Sequence, residues 1–393
     1  MIKEAIHVKI LQQILKQTKY GRVELELPDG RVLSHGEGDS CVKLTIRKYR
    51  ALEDILNKGD LGLAEGIIAG DIECEDTAAL IEWACRNSDD LGRAMSGTWS
   101  GMVFAKLRHL MNGNSRSQAK KNIMSHYDLG NEFYSLWLDP SMTYSAALFA
   151  DDSKDIYKAQ MAKYDRIIDS LNIKPGDHIL EIGCGWGGFF TRAVESKGCK
   201  VTAVMNSPEQ CRYNTMKIKK HKMQNHVNLL QQDYRDIQGK FDHVVSIEMI
   251  ESVGEKYWPD FFKKVGDALK PNGGALIQGI TIKEEFFDSY RSSTDFIQQY
   301  IFPGGMLLTN ETFARNGEQN GMKLVSTLEF GLNYAETLKI WRDNFNQQLP
   351  KVHAMGYDDT FVRMWNLYLS YCEGAFRAGR INVGQFHLQR YGV

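Results

Sequence analysis

The chain has 393 residues, 48 lysines and arginines against 49 aspartates and glutamates, and 43% hydrophobic residues. That length exceeds one average domain and supplies ample apolar surface for packed cores, while a formal net charge of −1 argues against a general nucleic-acid binder. The seven cysteines form no C-x-x-C pair and the ten histidines no metal-ligand spacing, so reduced thiols and no metal centre are expected.

The first element, Met1 to Tyr20, is a lysine-studded amphipathic helix without the apolar core of a secretion signal. No run approaches the roughly 18 apolar residues that span a bilayer, so any membrane contact is expected to be peripheral and the protein cytoplasmic. Val23 to Leu27 alternates as a strand before the turn Pro28-Asp29-Gly30. Val42 to Ile46 then forms a strand, and Tyr49 to Asn57 and Thr77 to Cys85 form helices. Residues 1–95 thus make a small α+β domain without a catalytic constellation, a substrate-presenting or regulatory unit.

Residues 96–122 change character. Between Val103 and Lys121 stand Lys106, Arg108, Arg116, Lys120 and Lys121 with no acid. The segment suits a solvated linker, and equally a surface drawn to anionic lipid, worth about 1 kcal/mol per basic residue near the membrane. A second basic cluster, Lys217 to Lys222, reads as a solvated helix end.

From residue 123 to 393 the pattern alternates. Ile179 to Ile182, Lys200 to Val204, Val227 to Gln231, Phe241 to Ile247 and Gly274 to Ile280 are apolar strands separated by helical stretches, which implies a parallel, doubly wound α/β sheet. Met322 to Phe330 serves as a late antiparallel strand. The insertion 283–312 carries Phe286, Phe287, Tyr290, Phe296, Tyr300 and Phe302, and follows the carboxyl end of a strand, where open α/β sheets bind ligands. Phe361 to Tyr371, apolar on nearly every face, reads as a core helix.

After Ile182 comes a glycine cluster, Gly183, Gly185, Gly187 and Gly188, and then a helix. Glycines without Cβ let a flat ligand lie against the backbone beside a helix N-terminus. The spacing fits G-x-G-x-x-G, so a dinucleotide competes with S-adenosylmethionine. A dinucleotide fold has an acid about 20 positions on for the ribose. Here the second strand ends in Met205-Asn206-Ser207, and the acid comes one strand later in Asp233-Tyr234, a carboxylate for an adenine amine beside a ring to stack on it. Glu181 adds a strand-end carboxylate for a cationic or hydroxylated ligand, and the balance moves to S-adenosylmethionine. Cys184, within the loop, lacks an evident base partner and reads as a small residue that fits there.

Four further stretches carry a resemblance: Ser125-His126-Tyr127-Asp128-Leu129-Gly130-Asn131-Glu132-Phe133-Tyr134, Leu138-Asp139-Pro140-Ser141-Met142-Thr143-Tyr144-Ser145, Glu248-Met249-Ile250-Glu251-Ser252-Val253-Gly254 and Gly374-Ala375-Phe376-Arg377. With the glycine loop, they closely resemble the cyclopropane-fatty-acyl-phospholipid synthases from about residue 122 to the C-terminus. The resemblance implies a Rossmann-like class I S-adenosylmethionine methyltransferase fold with a mainly parallel seven-stranded sheet. It implies a homodimeric, peripheral enzyme at the inner face of the membrane that adds a methylene across a cis double bond of a phospholipid acyl chain. It also implies a bound bicarbonate as base, held by positions matching Glu251, Tyr334 and Gln278 and by backbone at Ala146 and Ile280. Tyr144, Ser145, Glu181, Gly183, Gly185, Asn206, Gln210, Asp233 and Tyr234 match the cofactor positions.

Two positions depart from the pattern. Ala146 stands where many members have cysteine, and Gln278 where they have histidine. A glutamine amide donates to an anion but carries neither proton nor charge. These departures keep open a related methyltransferase that branches or methylenates acyl chains or methylates a small amine.

Overall fold

A computed structural model of the chain describes residues 2–38, 41–88, 90, 91, 129–150 and 153–392. The basic segment 96–122 and Ser125 to Asp128 of the first quoted motif lie outside the described residues. The chain divides into two compact units. One comprises Met1–Met111, Ser289–Ile301 and Trp341–Arg380; the other comprises Asn112–Asp288, Phe302–Ile340 and Ile381–Val393. The division therefore departs from the chain-order split at 96–122, because two later segments join the N-terminal residues.

In the first unit β1 (Arg22–Glu26), β2 (Val32–His35), β3 (Cys41–Ile46) and β4 (Ile72–Cys74) form a sheet in the order β2-β1-β3-β4, with β1 and β3 parallel. The helices expected around Tyr49 and Thr77 are present as Tyr49–Lys58 and Thr77–Arg86; a third, Asp60–Ala69, had no clear sequence signal. The helix Asp359–Arg377 belongs here, capped by Asp358, whose side chain accepts from the Phe361 N–H at 2.8 Å. It buries Trp365, Leu367, Tyr368 and Leu369, as a core helix should. At Gly374 it crosses Thr77–Arg86 so closely that a Cβ would lie 2.5 Å from the Ala78 carbonyl oxygen. That crossing is why a C-terminal segment packs with N-terminal ones.

In the second unit β5 (His178–Ile182), β6 (Lys200–Met205), β7 (Val227–Gln231), β8 (Phe241–Ile247), β9 (Leu269–Ile282), β10 (Met322–Glu329) and β11 (Ile381–Arg390) form one sheet in the order β10-β11-β9-β8-β5-β6-β7. β9, β8, β5, β6 and β7 run parallel to their neighbours. One expectation is corrected: β11, not β10, is the strand that runs against the set. β11 is antiparallel to β9, and β10 is antiparallel to β11, so β10 points the same way as β9. The sequence reading omitted β11 because Asn382, Gln385, His387 and Gln389 interrupt its apolar run.

Helices Ile156–Ser170, Gly188–Lys197 and Pro208–Lys220 line this sheet. Ile167, Ile168, Phe189, Phe190 and Ala193 meet Ile179, Val201 and Ala203 of the strands in one apolar core. Burying a side chain such as Phe190 stabilises by about 1.5–3 kcal/mol, and that anchors the glycine loop between strand and helix. Among the described residues no helix is long and apolar enough to cross a membrane, and no group of side chains is arranged to hold a metal ion.

Candidate active site

The parallel strands end on one edge of the second unit's sheet, and the site residues come from the strand ends, the loops after them and the neighbouring helices. The chain leaves β5 through Gly183, at φ 83°, where a Cβ would lie 2.8 Å from Met249 Cγ. Only a glycine allows this turn to pass the segment following β8. Lys217 then fixes the loop from outside. Its ammonium donates to the carbonyl oxygens of Trp186 at 3.0 Å and Gly187 at 3.4 Å. The reading of Lys217 as solvated is thus corrected: the loop's carbonyl oxygens draw it inward, while Lys219, Lys220, His221 and Lys222 are exposed.

Around the loop lie the residues expected at a cofactor. Glu181 is 3% exposed, and its Oε2 has no hydrogen-bond partner among the described residues. Burial holds its carboxyl well above the usual range. Gln210 follows Ser207, which caps the helix Pro208–Lys220; its Nε2 is likewise buried without a partner. Such atoms cost about 1–3 kcal/mol each unless a ligand satisfies them. Asn206 is half-buried just before that cap.

Asp233 is bound within the chain: Oδ1 accepts from Arg235 N–H at 2.9 Å and from Nε at 2.8 Å, and Oδ2 from Nη2 at 2.6 Å. Tyr234 stands edge-on to Phe261. Cys184 is buried with its thiol pushed up by desolvation, which removes it as a nucleophile. Tyr144 belongs to an aromatic cluster with Tyr134 (ring centroids 5.4 Å apart) and Trp137 (5.6 Å), and Tyr134 meets Trp186 at 4.9 Å. This cluster supplies aromatic faces in the second unit, whereas Tyr290, Phe296 and Tyr300 of the insertion belong to the first.

Beside the loop, just after β8, are two half-buried glutamates, Glu248 and Glu251. Glu251 Oε1 accepts from the Ile280 N–H at 2.6 Å, and Oε2 has no partner among the described residues. Burial and the neighbouring charge of Glu248 push its pKa up to about 8. Glu248, not singled out in the sequence, gathers what was expected around the bicarbonate. Its Oε1 accepts from the Ala146 N–H at 2.8 Å and from Gln278 Nε2 at 2.7 Å, and its Oε2 from the Tyr334 hydroxyl at 2.7 Å. Burial raises the Glu248 pKa, opposed by Lys163 and these three donors.

The amide of Gln278 has only one sensible orientation. Arginine can only donate, so Arg166 Nη1, 2.5 Å from Gln385 Oε1, fixes the Gln385 amide. Gln385 Nε2 then donates to Gln278 Oε1 at 3.0 Å, which leaves the Gln278 amino group to donate to Glu248. Lys163, fully buried, donates to Ser145 Oγ at 2.6 Å, and its pKa is pushed down to about 7 by burial against the pull of Glu248 and Asp139. Nothing in the sequence singles out Lys163, Arg166 or Gln385; the pair of acids three apart in Glu248-Met249-Ile250-Glu251 was the one available signal for Glu248.

A bicarbonate fits this arrangement poorly. The side-chain and backbone donors expected to hold it are spent on Glu248 and Glu251, and another anion would face two carboxyl groups already occupying those donors. S-adenosylmethionine fits, since Glu181 and Gln210 offer an acceptor and a donor beside a loop open to a flat ligand.

The parallel sheet with its antiparallel β11, the glycine turn after β5 and the buried polar atoms around it define a class I S-adenosylmethionine-dependent methyltransferase. Residues 114–386 match the mycolic acid cyclopropane synthetase family, and the chain belongs to that family. Residues 10–95 match a domain of unknown function. The chain is 35% identical over 342 residues to a tuberculostearic acid methyltransferase of Mycobacterium tuberculosis, covering 85% of this chain and 80% of that one. It is 32% identical over 354 residues to the cyclopropane-fatty-acyl-phospholipid synthase of Escherichia coli, covering 90% and 89%. A cyclopropane synthase structure from Mycobacterium tuberculosis superposes with a TM-score of 0.65 at 28% identity, covering 69% of this chain and 98% of that one.

Proposed function

We propose that this enzyme transfers a one-carbon unit from S-adenosylmethionine to the cis double bond of an unsaturated phospholipid acyl chain and closes a cyclopropane ring. The observation that carries this reading is the pair of half-buried carboxyl groups, Glu248 and Glu251, beside the glycine loop. When bound, S-adenosylmethionine supplies an electrophilic methyl carbon. Glu181 and Gln210 would hold its polar groups, and Ser145, fixed by Lys163, would border the transferred methyl. An alkene is a weak nucleophile, so the reaction requires that water be kept out and the methyl carbon be held in line with the double bond. The carbocation left on the acyl chain needs aromatic faces, such as those of the cluster around Tyr144, and a base for the methyl proton.

A second reading is a methylene or methyl branch at the same carbon. It is favoured by Gln278 in place of histidine and by the resemblance to the tuberculostearic acid methyltransferase. In either case the resemblance favours a homodimer working peripherally at the inner membrane face. The test is to incubate the protein with S-adenosylmethionine and vesicles of a monounsaturated phospholipid and examine the acyl chains by mass and proton NMR. High-field ring protons identify the cyclopropane and vinylic protons a methylene branch. No consumption of S-adenosylmethionine with any unsaturated phospholipid would remove the reading.

A further inference from the structure

We propose that Glu248 replaces bicarbonate: its carboxylate is a built-in base that occupies the seat of the anion and takes the methyl proton. This rests on the reaction proposed above.

The argument begins with the donors. The Tyr334 hydroxyl, the Gln278 amide and the Ala146 N–H, to which the resemblance assigns a bound anion, here converge on one side chain. Their reach is long in sequence: Glu248 is 102 residues from Ala146 and 86 from Tyr334, so the tertiary fold brings them together. The backbone is bent to deliver that side chain. Glu248 has φ 49°, a left-handed conformation that costs a non-glycine residue about 1 kcal/mol or more and is held here by the bonds around it. Its own N–H is tied to the Gln278 carbonyl at 2.8 Å. A neighbouring cation, Lys163, lies in the same buried pocket and favours the ionised form. Glu251 is the poorer candidate, because among the described residues its carboxyl receives one donor, the Ile280 N–H, against the three that converge on Glu248.

The step balances as follows. The alkene π pair forms a bond to the methyl carbon as the carbon–sulfur bond breaks, its electron pair remaining on sulfur, and a cation is left on the second alkene carbon. A methyl C–H then gives its proton to Glu248 Oε2 while that bonding pair closes the ring. Oε2 accepts one hydrogen bond, from Tyr334, and so retains a lone pair for the proton. The protonated carboxyl later returns the proton to solvent. No oxidant or added anion is required.

The experiment uses the full chain with S-adenosylmethionine and vesicles of a dioleoyl phospholipid in buffer freed of carbon dioxide, with and without added bicarbonate. Wild-type turnover is expected to change by less than about twofold, whereas E248Q should lose roughly 100-fold or more with S-adenosylhomocysteine affinity retained. In E248A the freed donors of Tyr334, Gln278 and Ala146 should capture added bicarbonate, restoring turnover by about tenfold or more. A second readout needs no turnover: the ¹³C NMR line of labelled bicarbonate should broaden with E248A and stay sharp with wild type. A roughly tenfold fall of wild-type turnover on bicarbonate removal, a line broadened by wild type, or full activity in E248Q would each overturn the proposal. If wild type methylates no unsaturated lipid, the functional reading falls, and the NMR comparison still decides whether Glu248 fills the anion seat.

Discussion

The Tyr334 hydroxyl donates to Glu248 Oε2 at 2.7 Å, linking the helix Gly331–Gln347 to the residue that follows β8. A hydrogen bond to a charged group is worth about 1.5–3 kcal/mol, and this one aims the carboxylate. Tyr334→Phe should therefore lower turnover by about 10- to 100-fold and leave S-adenosylhomocysteine affinity unchanged within about twofold, as checked by steady-state kinetics and calorimetry. Loss of binding in step with turnover would assign Tyr334 to the cofactor instead.

Lys163→Met should change the pH profile. The variant keeps the length of the buried side chain and removes the positive charge that favours ionised Glu248. Removing it raises the carboxyl pKa, so the acid limb of kcat/KM should move to higher pH by about 1 unit. The measurement is the pH–rate profile of the two proteins, and coincident profiles would exclude an electrostatic role for Lys163.

The Glu251 carboxyl has a folded-state pKa of about 8 against an ordinary 4.5. Between these values the folded chain holds a proton that the unfolded chain has lost, so stability falls as pH rises across that window. Glu251→Gln removes the titration. Its Tm relative to wild type should increase steadily from pH 5 to 8 and level off above, in thermal melts followed by circular dichroism. An offset independent of pH would contradict the burial-driven shift.

Glu181 brings a buried, unpartnered oxygen to the loop. If that oxygen meets the cofactor, Glu181→Ala should weaken S-adenosylmethionine binding by about 10- to 100-fold in calorimetry, with the thermal transition of the apo protein nearly unchanged. Undiminished affinity would mean that Glu181 serves the fold alone.

Much of this protein was legible in its sequence because the signals are local. The apolar runs at His178–Ile182 and Lys200–Met205, each followed by an α-helix, and Val227–Gln231, followed by the short 3-10 turn Tyr234–Asp236, need only neighbouring residues to suggest a parallel sheet. The glycines after Ile182 state their own backbone requirement, and Glu181 and Gln210 stand at the ends of such elements. What the sequence could not order was contact between distant segments. β11 enters the sheet through pairing with β9, a gain invisible in its mixed composition. Glu248 and Glu251 look interchangeable in one short motif, yet the fold sends Tyr334, Gln278 and Ala146 to the first and the Ile280 N–H to the second. The sequence alone determined the methyl donor's loop and the strand that presents it. Only the tertiary structure decided which carboxyl group gathers the donors, because that depends on which distant segments are brought within hydrogen-bonding reach of it.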